Sequence, residues 1–254
     1  MNIGGIYFKP AVGASGVQGF FGSRKHPEYK HHYWYRLIFG WLGFSFRGMT
    51  FVAKTTTLNE NKGNTTLAED GFTVKEMFPD SVYVRAKSFF QCWVLNAVGL
   101  SGPGVFKLLD QQLWQKRTLP FMLSYMTMAG SLEERLEDTR KFTSALRKTL
   151  TYYRGKVALQ LNLSCPNTGH DTQVLVREAG NLLDFLSELR IPVLVKINLL
   201  VSPEEAFEIS KHPHCAGLVC FNTIPYVRIE SDIKKNCGLS EDPAKSPLAK
   251  YKGS

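Results

Sequence analysis

PFMLSYMTMAGSLEERLEDTRKFTSALRKTL, residues 120–150, holds one complete unit of the fold. Pro120 to Tyr125 reads as a buried strand, short and dominated by apolar residues. Ser131 with Glu134 three residues later forms a capping box. It opens a helix whose apolar face is Leu132, Leu136, Phe142, Leu146 and Leu150. The same grammar continues downstream. Val157 to Asn162 is a strand, Val174 to Leu189 a helix, and Val193 to Ile197 a strand of apolar residues around one lysine. Ser202 and Glu205 form a second capping box, with Pro203 at the first helical position. That helix closes near His212-Pro213, and Gly217 to Phe221 is a further strand. Apolar strands alternating with helices predict a parallel sheet covered by helices.

Upstream the pattern is less regular. Pro10 to Ala14 and Phe51 to Lys54 are short apolar strands, each followed by small or hydroxylated residues. Between them the aromatic and basic stretch from Tyr29 to Phe46, with Trp34, Phe39 and Trp41, is expected to be an insertion packed over the rim of the sheet. Strands near residues 10, 51, 120, 157, 193 and 217 suit a single α/β domain over residues 1–254. Candidate chemistry stands at the C-terminal end of nearly every strand, as in a (β/α)8 barrel of the TIM type. The expectation is such a barrel with about six of the eight βα units present. No G-x-G-x-x-G follows the first strand, which argues against a Rossmann domain.

Composition narrows the class. Hydrophobic residues make up 44% and charged residues 21% of the 254, values of a globular protein with a real core. The longest apolar run, Leu37 to Phe44, is far too short to span a bilayer, and no signal-peptide grammar is present. Five cysteines without a CxxC pair argue for a reducing compartment, and the expected location is cytoplasmic. The net charge of +9 is mostly scattered and is read as a solvated basic surface, with no nucleic-acid-binding motif beside it. His212-Pro-His214-Cys215 resembles a metal cluster in composition only, so no metal site is expected; Cys215 and Cys220 are read as core residues.

The most specific segment is Leu161-Asn-Leu-Ser-Cys-Pro-Asn-Thr168, running off the fourth strand. It resembles the signature of the dihydroorotate dehydrogenases, with Asn162, Ser164, Cys165, Pro166 and Asn167 in the motif positions. Other segments match in family order. They are Ala14-Ser-Gly-Val17, Ala53-Lys-Thr-Thr-Thr-Leu58, Asn96-Ala-Val-Gly-Leu100, Val195-Lys-Ile-Asn198 and Asn222-Thr223. Cysteine at 165 resembles the class 1, cytosolic type. The resemblance implies FMN as cofactor, with oxidation of dihydroorotate to orotate in pyrimidine biosynthesis. Cys165 takes the general-base position. A thiol of pKa ~8.5 is only partly ionised at neutral pH, so a nearby positive charge or donor would help it.

The resemblance places Lys54, Asn96, Val98, Gly99, Leu100, Asn162, Asn167, Asn222 and Thr223 at the substrate. Primary amides offer donor and acceptor to the carbonyl and N–H rim of orotate without adding charge. It places Ala14, Ser15, Gly16, Lys54, Thr55, Asn162 and Lys196 at the flavin. There a cation near the ring favours the reduced anion. It further implies a homodimer or pairing with an electron-transfer subunit, neither nucleic acid nor a membrane span as partner, and fumarate or NAD rather than membrane quinone as electron acceptor.

Two departures stand out. Ser101-Gly102 replaces the family's usual Pro-Asn, and the chain reaches Ser254 before the two glycine-rich phosphate loops, so it is expected to be C-terminally truncated. Two rival readings remain at this level. A tRNA dihydrouridine synthase-like flavoenzyme would use the basic charge, and a non-catalytic truncated barrel would act as a binding or assembly module.

Overall fold

The structure, a computed structural model, describes residues 1–23, 26–29, 45–76, 78–88, 91–163, 177–220 and 223–251. In chain order the strands and α-helices are β1 (Asn2–Ile3), β2 (Ile6–Tyr7), β3 (Ala11–Val12), β4 (Met49–Thr50), β5 (Val82–Ser88), β6 (Gln91–Asn96), α1 (Gly104–Asp110), β7 (Phe121–Tyr125), α2 (Leu132–Leu150), β8 (Val157–Asn162), α3 (Ala179–Ser187), β9 (Val193–Ile197), α4 (Pro203–Ser210), β10 (Cys215–Cys220) and α5 (Ser231–Asn236). Strands β7, β8, β9 and β10 form one parallel sheet in that order.

The parallel arrangement extends upstream of β7. The chain following β4 runs beside β7: Ala53 N–H donates to the Met122 carbonyl (2.9 Å), Met122 N–H to Phe51 (3.0 Å), and Thr56 N–H to Ser124 (2.9 Å). β4 in turn pairs parallel with β3. Six parallel segments therefore lie side by side in chain order, each returned to the start of the next by the intervening chain.

Period-two alternation divides the sheet's residues between two faces. On one face Phe121, Leu123, Leu159, Leu161, Val193 and Val195 belong to the large core shared with α2 and α3. On the other, Val52, Met122, Ala158 and Leu194 form a second, smaller core with Ile6 and Phe8. Hairpin β1–β2 thus plugs that face at the N-terminal ends of the strands. Its turn needs glycine twice, because Gly4 (φ +54°) and Gly5 (φ +78°) both sit in the left-handed region. Gly4 also lies so close to the Pro192 ring that a Cβ would overlap it.

Both predicted capping boxes are present. Ser131 Oγ accepts from Glu134 N–H (3.2 Å) and Glu134 from Ser131 N–H (3.0 Å); Ser202 and Glu205 repeat the exchange with Pro203 opening α4. A bidentate, nearly buried ion pair, Arg135 to Glu178 at 2.7 and 2.6 Å, ties the first turn of α2 to the residue preceding α3.

Several boundaries differ from expectation. The last parallel strand is Cys215–Cys220 rather than 217–221, with residue 221 outside the described set. Cys215 is partly buried and Cys220 is exposed, so Cys220 is not a core residue. Within the described residues β10 has a single neighbour, β9, which leaves its own residues more open to solvent than those of β7 or β8. The helix expected over 174–189 is observed as Ala179–Ser187, residues 174–176 lying outside the described set. The antiparallel hairpin β5–β6 was not anticipated. Residues 30–44 of the predicted rim insertion lie outside the described residues.

Candidate active site

Towards the C-terminal ends of the strands the face plugged by hairpin β1–β2 changes character. Beyond Val52, Met122, Ala158 and Leu194, the following same-face positions are Lys54, Ser124, Gln160, Asn162 and Lys196. The register sets Ser124 opposite Gln160, and Asn162 opposite Lys196. Polar side chains in the middle of an otherwise apolar sheet persist only where partners satisfy them.

The floor of this region is a chain of hydroxyls. Ser15 Oγ donates to the Ala53 carbonyl (2.9 Å) and lies 2.9 Å from Thr55 Oγ1, which lies 2.8 Å from Ser124 Oγ; Ser124 Oγ lies 3.3 Å from Gln160 Oε1. Four contacts share three hydroxyl protons. All four are hydrogen bonds only if the Gln160 amide is turned so that its NH2 donates to Ser124. Ser124 then donates to Thr55, Thr55 to Ser15, and Ser15 to the carbonyl. Ser15 and Thr55 are thereby fixed across neighbouring strands.

Lys54 joins two groups of predicted residues. Its Nζ donates to the Ser101 carbonyl (2.7 Å) and stands 5.0 Å from the centre of the Phe20 ring. Its stem runs past Gly16 (φ +90°), where a Cβ would come within 3.4 Å of Lys54 Cγ. Burial pulls the Lys54 amine down to about 8, against the opposing pull of Glu28. The Ser101 carbonyl belongs to the loop that carries Val98, Gly99 and Leu100. Both Gly99 (φ +67°) and Leu100 (φ +59°) are left-handed, a conformation that a leucine adopts only when its surroundings impose it. The surroundings here are two asparagines. Asn64 donates from Nδ2 to the Ala97 carbonyl (2.7 Å) and from its backbone to Val98 (3.0 Å), and Asn61 Nδ2 donates to Gly99 (2.8 Å). Ser101 Oγ accepts the Thr65 N–H (3.0 Å) and donates to Val98 (3.1 Å), so serine at this departure from the family pattern is a structural anchor.

The structure thus brings Ser15, Gly16, Lys54 and Thr55 together with the Val98–Leu100 loop. It sets Asn162, which is 3% exposed, beside Lys196 on the same face. Asn96 ends β6 and leads into the loop, Ala14 is exposed just past β3, and Thr223 is exposed past β10. Cys165, Asn167 and Asn222, with Ser164 and Pro166, lie outside the described residues. Sequence reading missed Ser124 and Gln160, whose signal was present: each is a polar residue at an inner position of a strand of apolar ones. It also missed Asn61, Asn64 and Glu28, which lie in irregular segments where no periodicity marks a role.

No family model matches the chain. Among curated proteins it is similar to the dihydroorotate dehydrogenase A (fumarate) of Lactobacillus delbrueckii subsp. bulgaricus, 28% identical over 171 residues, 61% of this chain and 52% of the relative. It is equally similar to the same-named protein of Lactobacillus helveticus. The catalytic subunit of dihydroorotate dehydrogenase B (NAD(+)) of a Geobacillus species is 29% identical over 170 residues, covering 61% of this chain and 50% of that subunit. The chain spans about half the length of the curated relatives it matches.

Proposed function

We propose that this chain, which is dihydroorotate dehydrogenase-like, is a (β/α)8-type flavin barrel that oxidises dihydroorotate to orotate, with FMN as cofactor. The carrying observation is the change along the plugged face. Apolar residues and a hairpin plug close this face at the N-terminal side from the Phe51–Lys54 segment to β9, while Lys54, Asn162 and Lys196 stand at the C-terminal ends, where barrels of this class hold their sites.

The residues present suit FMN. Gly16 and Ala14 put little side chain in the way of a flat ring, Ser15 and Thr55 are held in place by the hydroxyl chain, and Lys54 supplies a cation beside them. FMN bound there would supply the hydride acceptor. Lys54 and Lys196 would favour negative charge at the ring and on the substrate carboxylate. Asn96, Asn162, Asn167, Asn222 and Thr223 would orient the carbonyl and N–H rim of the substrate, and the rigid Val98–Leu100 loop would offer it backbone groups. Cys165 Sγ would take the proton from the carbon next to the substrate carbonyl. The names of the relatives include fumarate and NAD(+); this chain would pass electrons to an acceptor of that kind, as a homodimer or with an electron-transfer subunit, and the expected setting is the cytoplasm.

The test is FMN uptake by the purified chain, followed by gel filtration and a visible spectrum. The proposal expects one FMN retained per chain, and weaker retention in Lys54→Met. A folded chain that stays colourless in excess FMN would overturn it in favour of a non-catalytic binding module.

A further inference from the structure

We propose that Glu28 is the buried counter-charge of Lys54 and a positioning residue of the site: it holds the 19–21 turn beneath the lysine and keeps the ammonium charged. The proposal rests on the site reading given above. It starts from an anomaly, a carboxylate only 6% exposed in a short 3-10 turn.

The carboxylate is fully engaged with the 19–21 turn, which lies against Lys54. Its Oε2 accepts the Phe20 N–H (2.8 Å) and its Oε1 the Phe21 N–H (2.7 Å). It presses on Gly19 so closely that a Cβ there would lie 2.7 Å from the carboxylate carbon, and Gly19 is left-handed (φ +69°). From the opposite side the Gly19 carbonyl accepts the Lys54 N–H (2.9 Å), and the Phe20 ring lies under the ammonium. Glu28 and Lys54 thus flank one turn of backbone without touching, so their charges interact through a poorly solvated layer.

The other charged groups nearby do not replace this partner. His26 accepts the Glu28 N–H through Nδ1 (3.4 Å), and burial holds its imidazole below the usual range, which leaves it neutral at pH 7. Asp70 faces His26 and is occupied by the N–H groups of Phe72 and Thr73. Arg117 donates to the Phe21 carbonyl (2.8 Å) and stacks over Phe51, and Lys107 stands over Phe72. Burial raises Glu28 to about 7, while the N–H groups of Phe20, Phe21 and Gly22 and the charge of Lys54 pull it back. At pH 8 the carboxylate is therefore mostly ionised, where Lys54 is at its own midpoint.

The experiment follows the Cε and Nζ resonances of Lys54 by NMR against pH in the isotope-labelled full chain, for wild type and Glu28→Gln. Lys54→Met identifies the signal. Loss of the counter-charge lowers the Lys54 midpoint by about one unit, which takes the charged fraction at pH 8 from about one half to about one tenth. Orotate affinity of the FMN-loaded chain then falls about fivefold at pH 8 and hardly changes at pH 6, a pH signature that simple misfolding does not produce. An unchanged Lys54 midpoint in folded Glu28→Gln overturns the proposal. If that variant does not fold, the reciprocal measurement decides. The Glu28 carboxyl carbon must titrate at higher pH in Lys54→Met, and an unmoved midpoint overturns the coupling. The resonances need neither flavin nor orotate. Coupled midpoints in a chain that binds no orotate would therefore support the pair while removing the proposed function.

Discussion

Glu28 and Lys54 each carry a cost of burial, and the sign of that cost depends on pH. The folded Glu28 carboxyl keeps its proton to about 7, whereas an unfolded glutamate releases it near 4.5. Between these values the folded chain binds more protons, so this contribution to stability is lost as pH rises through the window. For Lys54 the folded amine releases its proton near 8 and the unfolded one near 10.5, so stability is regained from pH 8 upward. Glu28→Gln removes the first term. The wild type is expected to lose thermal midpoint relative to Glu28→Gln as pH rises from 4.5 to 7. Parallel curves for the two proteins over that interval would contradict the assignment. Neither residue is exceptional in the sequence. Lys54 was found because it stands at the end of an apolar strand in a matching segment, while Glu28 emerges only when the turn above it is folded.

At the level of elements, the hairpin β1–β2 is the piece whose role is least obvious from its size. Phe8, just after β2, is 4% exposed and completes the plug with Ile6, Val52, Met122, Ala158 and Leu194. Phe8→Ala would open a cavity that the surrounding strands cannot close, and is expected to cost about 3–5 kcal/mol in chemical denaturation, with the far-ultraviolet spectrum unchanged. A loss under about 1 kcal/mol would mean that the hairpin is not part of the core. The strands themselves were largely legible. Apolar runs fixed β7, β8 and β9 to within a residue, and the serine–glutamate pairs located the starts of α2 and α4, because these signals depend on neighbours in sequence. Hairpin β5–β6 also alternates, with Val84 opposite Val94, yet both of these are exposed and the pair lies outside the parallel sheet. Its charges and aromatic residues masked the pattern. The Val98–Leu100 loop was visible only through its resemblance, since the bonds from Asn61 and Asn64 that impose its left-handed residues span more than thirty positions.

For the whole molecule, what matters is the division of one face into an apolar closed end and a polar end. Helices α2 and α3 cover the opposite face. The arrangement accounts for the charged residues inside the sheet: Lys54 and Lys196 lie where the strands end, and the hydroxyl chain from Ser15 to Gln160 absorbs the polar groups between the plug and the site. It also ties the matching segments together. Apart from the 96–100 segment, which follows the separate hairpin β5–β6, the matching residues from 15 to 196 stand at the ends of successive parallel segments, in chain order.

The central claim is that this polar end oxidises dihydroorotate. The most direct measurement is anaerobic mixing of dihydroorotate with the FMN-loaded chain while the flavin band is followed in a stopped-flow spectrometer. The account predicts that the band bleaches in a single turnover and that orotate forms in equal amount. Cys165→Ala is expected to slow the bleaching by about 100-fold or more, the contribution of a positioned general base. A flavin band that persists at saturating dihydroorotate, in a chain that demonstrably holds FMN, would contradict it.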